Sequence, residues 1–169
     1  ADNGSGIPME QVRAAFLRHT TSKLRSANEL DYIRTLGFRG EALSSIAAVS
    51  ETEIITKTNN SETGLRYVIE GGEEKFYEEA AASDGTTFFI RNLFYNTPAR
   101  RKFLKSEMTE NNHIEELISR LSLSNPDISF AFIANGRERV KTSGNGSLKD
   151  TVFSIYGREV YKELLPVSY

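Results

Sequence analysis

The chain has 169 residues, which suits one ordinary domain or one domain with the start of another, and its 38% hydrophobic and 26% charged content permits a buried core. Zero cysteines exclude disulfides and cysteine-based zinc sites and fit a reducing compartment, while two histidines far apart in sequence offer no metal site. A net charge of −2 gives no global pull toward nucleic acid, and no apolar run approaches a membrane span or a secretory h-region.

Asp2-Asn3-Gly4-Ser5-Gly6-Ile7 reads as a tight turn, with Pro8 suited to the first position of a helix. Met9, Val12, Ala15 and Phe16 recur at helical spacing and predict an amphipathic helix over 8–18. The turn is not an EF-hand loop, because Gly4, Gly6 and Arg13 stand where oxygen ligands belong. It is not a dinucleotide fingerprint either, since Met9 replaces the last glycine. With no initiating Met and a start inside a turn, the chain reads as a piece of something longer.

From His19 to Arg39 the pattern is polar and mixed. Hydroxyls beside a lysine in Thr20-Thr21-Ser22-Lys23 suit a loop that touches phosphate, and equally a solvated connector. Next, Gly37-Phe38-Arg39-Gly40-Glu41-Ala42-Leu43 runs into a helix ending near Ser50. A helix opening after a glycine turn aims its free amides at an anion, so Gly40 to Leu43 form a candidate phosphate cradle. The same spacing also fits a helix C-cap followed by a new helix.

Residues 54–58 and 65–69 flank Asn59-Asn60-Ser61 as a hairpin, a third run covers 75–77, and 86–91 reads as a buried strand. Thr97 is the expected N-cap of a short helix opened by Pro98. Arg100, Arg101, Lys102 and Lys105 form the one concentrated basic cluster. It reads as a DNA-phosphate contact or as a solvated face with Phe103 and Leu104 packed beneath. A helix over 106–123 carries Ile114, Leu117, Ile118 and Leu121 on one face, with Glu115 and Glu116 able to pair with Arg120. Asn135-Gly136 predicts a type I′ hairpin between 128–134 and 137–142, followed by a linker at 144–147 and a helix near 148–156.

Three segments together carry a resemblance: Asp2-x-Gly4-x-Gly6-Ile7, Gly37 to Leu43, and Gly85-Thr86-Thr87 with Asn92-Leu93-Phe94-Tyr95-Asn96-Thr97-Pro98-Ala99-Arg100-Arg101-Lys102-Phe103. They resemble the MutL family of DNA mismatch repair proteins, within the ATPase superfamily shared with gyrase, certain heat-shock chaperones and histidine kinases. The first motif belongs to the whole superfamily, whereas the second and third together are specific to MutL and its relatives.

The resemblance implies an α+β fold, a two-layer α/β sandwich of the Bergerat ATP-binding type, with a mostly antiparallel sheet and helices on one face. It implies an ATP-binding domain over 1–147, with a lid at about 20–39, then a linker and the start of a second domain over 148–169. Asp2 would accept from the adenine amino group as a buried carboxylate, with Gly4 and Gly6 letting the turn pass close to the nucleotide. Thr21, Ser22 and Lys23 would open the lid, and Arg39, Gly40, Glu41, Ala42 and Leu43 would hold the triphosphate. Thr86 or Thr87 would close the adenine pocket.

The family's general-base Glu and magnesium-binding Asn precede the Asp-x-Gly turn. No catalytic or metal-binding residue is therefore expected in this chain, and neither Glu10 nor Glu41 fills the role. The parent protein would be a weak Mg²⁺-dependent ATPase in the cytoplasm of a bacterium, or in a nucleus. ATP would drive its dimerisation and couple a mismatch-recognition protein to a downstream nuclease or helicase, with weak DNA binding through Arg100, Arg101 and Lys102. The chain alone would not hydrolyse ATP, and its alternative role is that of a nucleotide- or DNA-binding fragment.

Overall fold

Alternation of inward and outward residues from Glu51 onward builds a four-stranded sheet. In the computed structural model, which describes residues 1–21 and 39–165, its strands are β1 (Glu51–Lys57), β2 (Gly64–Glu70), β3 (Glu73–Ala80) and β4 (Gly85–Arg91). Every pairing is antiparallel, in the order β3-β2-β1-β4. Most of the expected lid, with Ser22 and Lys23, lies outside the described residues.

In β1 the period of two sends Thr52, Ile54 and Thr56 inward. Ile54 stands opposite Tyr67 of β2 and Phe88 of β4. Two short helices, α1 (Met9–Ala15) and α2 (Ala42–Ala47), bring Val12 and Ala47 to the same face, where Phe16, Leu65, Tyr67 and Ile69 complete the core. Each large aliphatic side chain buried there contributes about 2 kcal/mol. Phe16 packs on Tyr67 at 5.4 Å between ring centroids, and the Tyr77 hydroxyl donates to the Met9 carbonyl at 3.0 Å, which fixes α1 across the sheet. The antiparallel sheet with helices is the expected α+β sandwich.

β4 departs from expectation. As an edge strand it buries Gly85 and Thr86 but leaves Phe89 and Ile90 exposed, so it is a half-open strand rather than a buried one. Beyond it, the segment Asn92–Thr97 straps the sheet to α2. The Phe94 amide donates to the Val49 carbonyl at 2.6 Å, the Asn96 side chain to the Ala48 carbonyl at 2.9 Å, and the Asn92 side chain to Glu51 at 2.8 Å. Asn92 and Phe94 adopt positive φ to make the turn. Pro98 opens the one-turn helix α3 (Pro98–Arg101) as expected, but Thr97 makes no side-chain cap. Its Oγ1 is buried without a hydrogen-bond partner among the described residues. Phe103 is 78% exposed and Leu104 is also exposed, so neither packs beneath the basic cluster.

Contacts divide the chain into two compact units, Ala1–Phe103 and Leu104–Tyr169, a boundary other than the one drawn after residue 147 from the sequence. The second unit holds α4 (Glu107–Ser124), β5 (Ala131–Ala134), β6 (Arg137–Lys141) and α5 (Leu148–Lys162). Asn135 and Gly136 both take positive φ, as a type I′ hairpin requires. α4 buries Ser119 and Ser122, whereas Ile114, Leu117 and Leu121 are exposed. Small hydroxyl residues allow close approach, and of the apolar stripe only Ile118 is half-buried. Arg120 pairs with Glu116 as expected, while Glu115 pairs instead with Arg139 at 2.7 Å. α5 runs past its expected end, with a kink at Gly157 one residue beyond it.

On the outer face of the sheet, Glu53 bridges Arg66 at 2.7 Å and Arg91 at 2.9 Å, and its side chain is only 16% exposed. Hydrogen bonds from Arg91 and then Arg66 hold its carboxyl below the usual carboxylate range. A lowered folded pKa means that the ionised bridge stabilises above the unfolded pKa and is lost as pH falls through the folded value. Glu53→Gln is expected to cost roughly 1–2 kcal/mol at pH 7. Urea melts should show that cost shrinking steadily as the pH is taken below about 4.

Candidate functional site

The turn at the start of the chain is held by its own carboxylate. Asp2 Oδ1 accepts from the Gly4 amide at 2.9 Å and the Thr86 amide at 3.2 Å, while the Asp2 amide donates to the Thr86 carbonyl at 2.8 Å. Asp2 thereby pairs with Thr86 as an isolated bridge beyond the edge of β4. The residue is exposed, against the expectation of a buried carboxylate, because only one oxygen is spent on the protein. Among the described residues Oδ2 takes no hydrogen bond, so an acceptor faces outward.

Thr86 and Thr87 separate by the pleat. Thr86 stands opposite Thr56, with the hydroxyls 3.1 Å apart. Thr87 stands opposite Ile55 on the other face, away from the Asp2 turn.

Gly6 sits where no other residue fits. Its φ is +70°, and a Cβ there would lie 2.1 Å from the carbonyl oxygen of Lys57. From Gly6 the chain turns into α1 and borders a cavity of ≈ 870 Å³. That volume lies in the range of small-ligand clefts.

The far wall of the cavity is Arg39, Gly40, Glu41, Ala42 and Leu43, with Thr20 and Thr21 beside them. Gly40 has φ +67°, and a Cβ would lie 2.3 Å from the Thr20 carbonyl oxygen. The His19 amide donates to the Gly40 carbonyl at 3.0 Å, so the two ends of the expected lid are pinned together at its base. Amides of the first turn of α2 have no helical acceptor, and Ala42 and Leu43 of that turn line this wall. Glu41 is engaged by Arg39 at 3.2 Å and His19 Nδ1 at 3.4 Å. Its carboxylate therefore braces the loop. Arg39 is the only Lys or Arg lining the cavity among the described residues.

Two clusters result. Gly6, Thr21 and Arg39 to Leu43 line the cavity, while Asp2, Gly4 and Thr86 gather at the other end of the turn. Thr87 joins neither.

The sequence reading missed the floor of the cavity: Gln11, Ala14 and Ala15, spaced at i, i+3 and i+4 on α1. Two adjacent alanines on a helix otherwise read as core were the available signal. It also missed Thr56, a fully buried hydroxyl under the Asp2 turn. No group of three or more His, Cys, Asp or Glu could hold a metal among the described residues. Nor is any helix of those residues long and apolar enough to cross a membrane.

No family model matches the chain. Curated relatives do. The DNA mismatch repair protein MutL of Agathobacter rectalis is 55% identical over 168 residues, covering 99% of this chain and 26% of its own length. MutL of Lactobacillus delbrueckii subsp. bulgaricus is 48% identical over 166 residues, 98% of this chain and 25% of the relative. The chain thus spans about a quarter of the curated relatives it matches. Among solved structures, the Aquifex aeolicus MutL ATPase domain complexed with ADP is 30% identical, with a TM-score of 0.63, covering 92% of this chain and 54% of that one. Another structure of the Aquifex aeolicus MutL ATPase domain has 29% identity and a TM-score of 0.63, covering 90% and 50%.

Gly6→Ala should disrupt the turn sterically, at a cost on the order of 3 kcal/mol in unfolding free energy. Gly136→Ala is the control, because a Cβ there meets nothing within 4 Å. It should cost about 1 kcal/mol from its left-handed backbone alone. Chemical melts of the two variants compare the effects directly.

Proposed function

From the premise that the chain is homologous to the MutL family of DNA mismatch repair proteins, with the fold of their ATPase domain, we propose that it is their ATP-binding region. The observation that carries this reading is the pair of clusters joined by one turn. An acceptor stands at one end, in Asp2 Oδ2, and the amides of an anion-binding loop stand at the other. A nucleotide lies with its 6-amino group on Asp2 and its phosphates against Gly40 to Leu43, with Arg39 at the rim. Thr21 borders the same cavity, whereas the phosphate contacts expected of Ser22 and Lys23 fall outside the described residues.

Hydrolysis is a property proposed for the whole protein. Its water-positioning base is not assigned to Glu41, which already faces Arg39 and His19. The described residues provide no cage for Mg²⁺. The ion would be held by the phosphates and by groups other than these. The cycle acts as a switch: ATP binds the closed, dimeric form more tightly than the open one and couples mismatch recognition to a downstream nuclease or helicase. To shift such an equilibrium decisively, that preference must amount to about 5 kcal/mol.

Asp2→Asn tests the base contact cleanly. The variant keeps an oxygen for the Gly4 and Thr86 amides but turns the outward acceptor into a donor. Calorimetric titration should show ATP affinity reduced at least roughly tenfold with the fold retained. Unchanged affinity would remove the adenine assignment.

DNA contact through Arg100, Arg101 and Lys102 is a second reading, favoured by one observation. All three are exposed and, with Lys105, form no ion pair among the described residues. Uncompensated cations on one turn and its flank suit phosphate neutralisation. Arg100→Glu with Lys102→Glu should weaken non-specific DNA binding and reduce the slope of log K against log salt by about 2. An unchanged slope would return the cluster to a solvated surface.

A further inference from the structure

The deepest polar group beneath the Asp2 turn is the hydroxyl of Thr56, on β1. Thr56 is 1% exposed and touches three groups: the Ile7 amide at 2.9 Å, the Gly85 carbonyl oxygen at 3.0 Å and the Thr86 hydroxyl at 3.1 Å. A threonine hydroxyl offers one proton and two lone pairs, so all of its capacity is spent here.

The direction of each bond follows from counting protons. Two short oxygen–oxygen contacts, Thr56 to Gly85 and Thr56 to Thr86, each need a proton between them. The Gly85 carbonyl has none to give. Thr56 must therefore donate to Gly85, and Thr86 must donate to Thr56, while the Ile7 amide fills the second lone pair. In the opposite arrangement the Thr56 and Gly85 oxygens would face each other at 3.0 Å with nothing between them, at the cost of an unmade buried bond. Thr86, itself only 7% exposed, has then spent its one proton inward and presents lone pairs alone. Asp2 Oδ2, beside it, is also an acceptor.

We propose that Thr56 is a positioning residue for base recognition: by taking the Thr86 proton it makes the base-facing end of the site acceptor-only, and so selects a 6-amino purine over a 6-oxo purine. The inference rests on the ATP reading of the site. Thr56 touches no ligand. It acts through Thr86 and through the Ile7 amide, which anchors the turn where it enters α1. Without the Thr56 hydroxyl, the Thr86 proton is released to donate toward a carbonyl at purine position 6, and discrimination falls.

The test is a titration of the full-length protein with ATP and with ITP, whose base carries an oxygen in place of the amino group. Thr56→Val is close to isosteric and removes only the hydroxyl. It should lower the ratio of ATP to ITP affinity roughly 3- to 10-fold, and Thr56→Ser should restore most of that loss. A melting temperature taken on each variant separates the effect from simple destabilisation. A Thr56→Val protein that melts lower but keeps the wild-type ratio would overturn the proposal and leave Thr56 a structural residue.

Failure of the wild-type protein to bind ATP would instead overturn the ATP reading. Should Thr56→Val not fold, NMR of the unmutated protein decides the matter. A slowly exchanging Thr86 hydroxyl proton lying against the Thr56 side chain is expected. Rapid exchange of that proton with solvent would overturn the assignment.

Discussion

Gly6 lies against β1 so closely that a single methyl group there would meet the Lys57 carbonyl at 2.1 Å. The architecture of the site follows from this backbone contact. It sets the Ile7 amide over Thr56 and places Pro8 as the N-cap of α1, which begins at Met9 and is directed across the sheet. The Phe16–Tyr67 and Met9–Tyr77 contacts then hold α1 in place. With Val12 committed to the core, Gln11, Ala14 and Ala15 fall on the side that bounds the cavity. The two alanines there leave space that larger side chains would fill.

The opposite wall depends on a different anchor. α2 is only six residues long and has little helical stability of its own. It is secured at its C-terminal end by the Asn92–Thr97 strap, through Val49 and Ala48, and at its N-terminal end by the approach of Gly40 to Thr20. So short a helix requires both. This gives the segment resembling the third family motif a physical reason: its Phe94 amide and Asn96 side chain clamp the C-terminal end of α2, while Asn92 holds Glu51 of β1.

Much of this was legible in the sequence, for identifiable reasons. The strands and the Asn135-Gly136 hairpin carried strong local signals, in alternation and in turn chemistry, and each formed, although β3 runs longer than the expected 75–77 and β5 begins at Ala131 rather than Ile128. Gly6 and Gly40 announced close approaches that the backbone makes. What the sequence did not reveal depends on pairing. Thr56 matters because register sets it opposite Thr86, and a period of two cannot say which residues of β1 and β4 meet. The exposure of Phe89 and Ile90 follows from the place of β4 at the sheet edge, which no local pattern specifies. Likewise the apolar stripe of α4 was visible, but its packing through Ser119 and Ser122 was not. Asp2 was expected to be buried; its hydrogen bonds to two amides hold it in place without burial.

Hydrogen exchange of the full-length protein with and without ATP tests the central claim, that one turn joins a base end to a phosphate end, most directly. ATP should slow exchange at both ends together, in the amides of Gly4 and Ile7 and in those from Gly40 to Ser44, while the Arg137–Lys141 strand is unaffected. Protection confined to one end, or appearing in β6 instead, would contradict it.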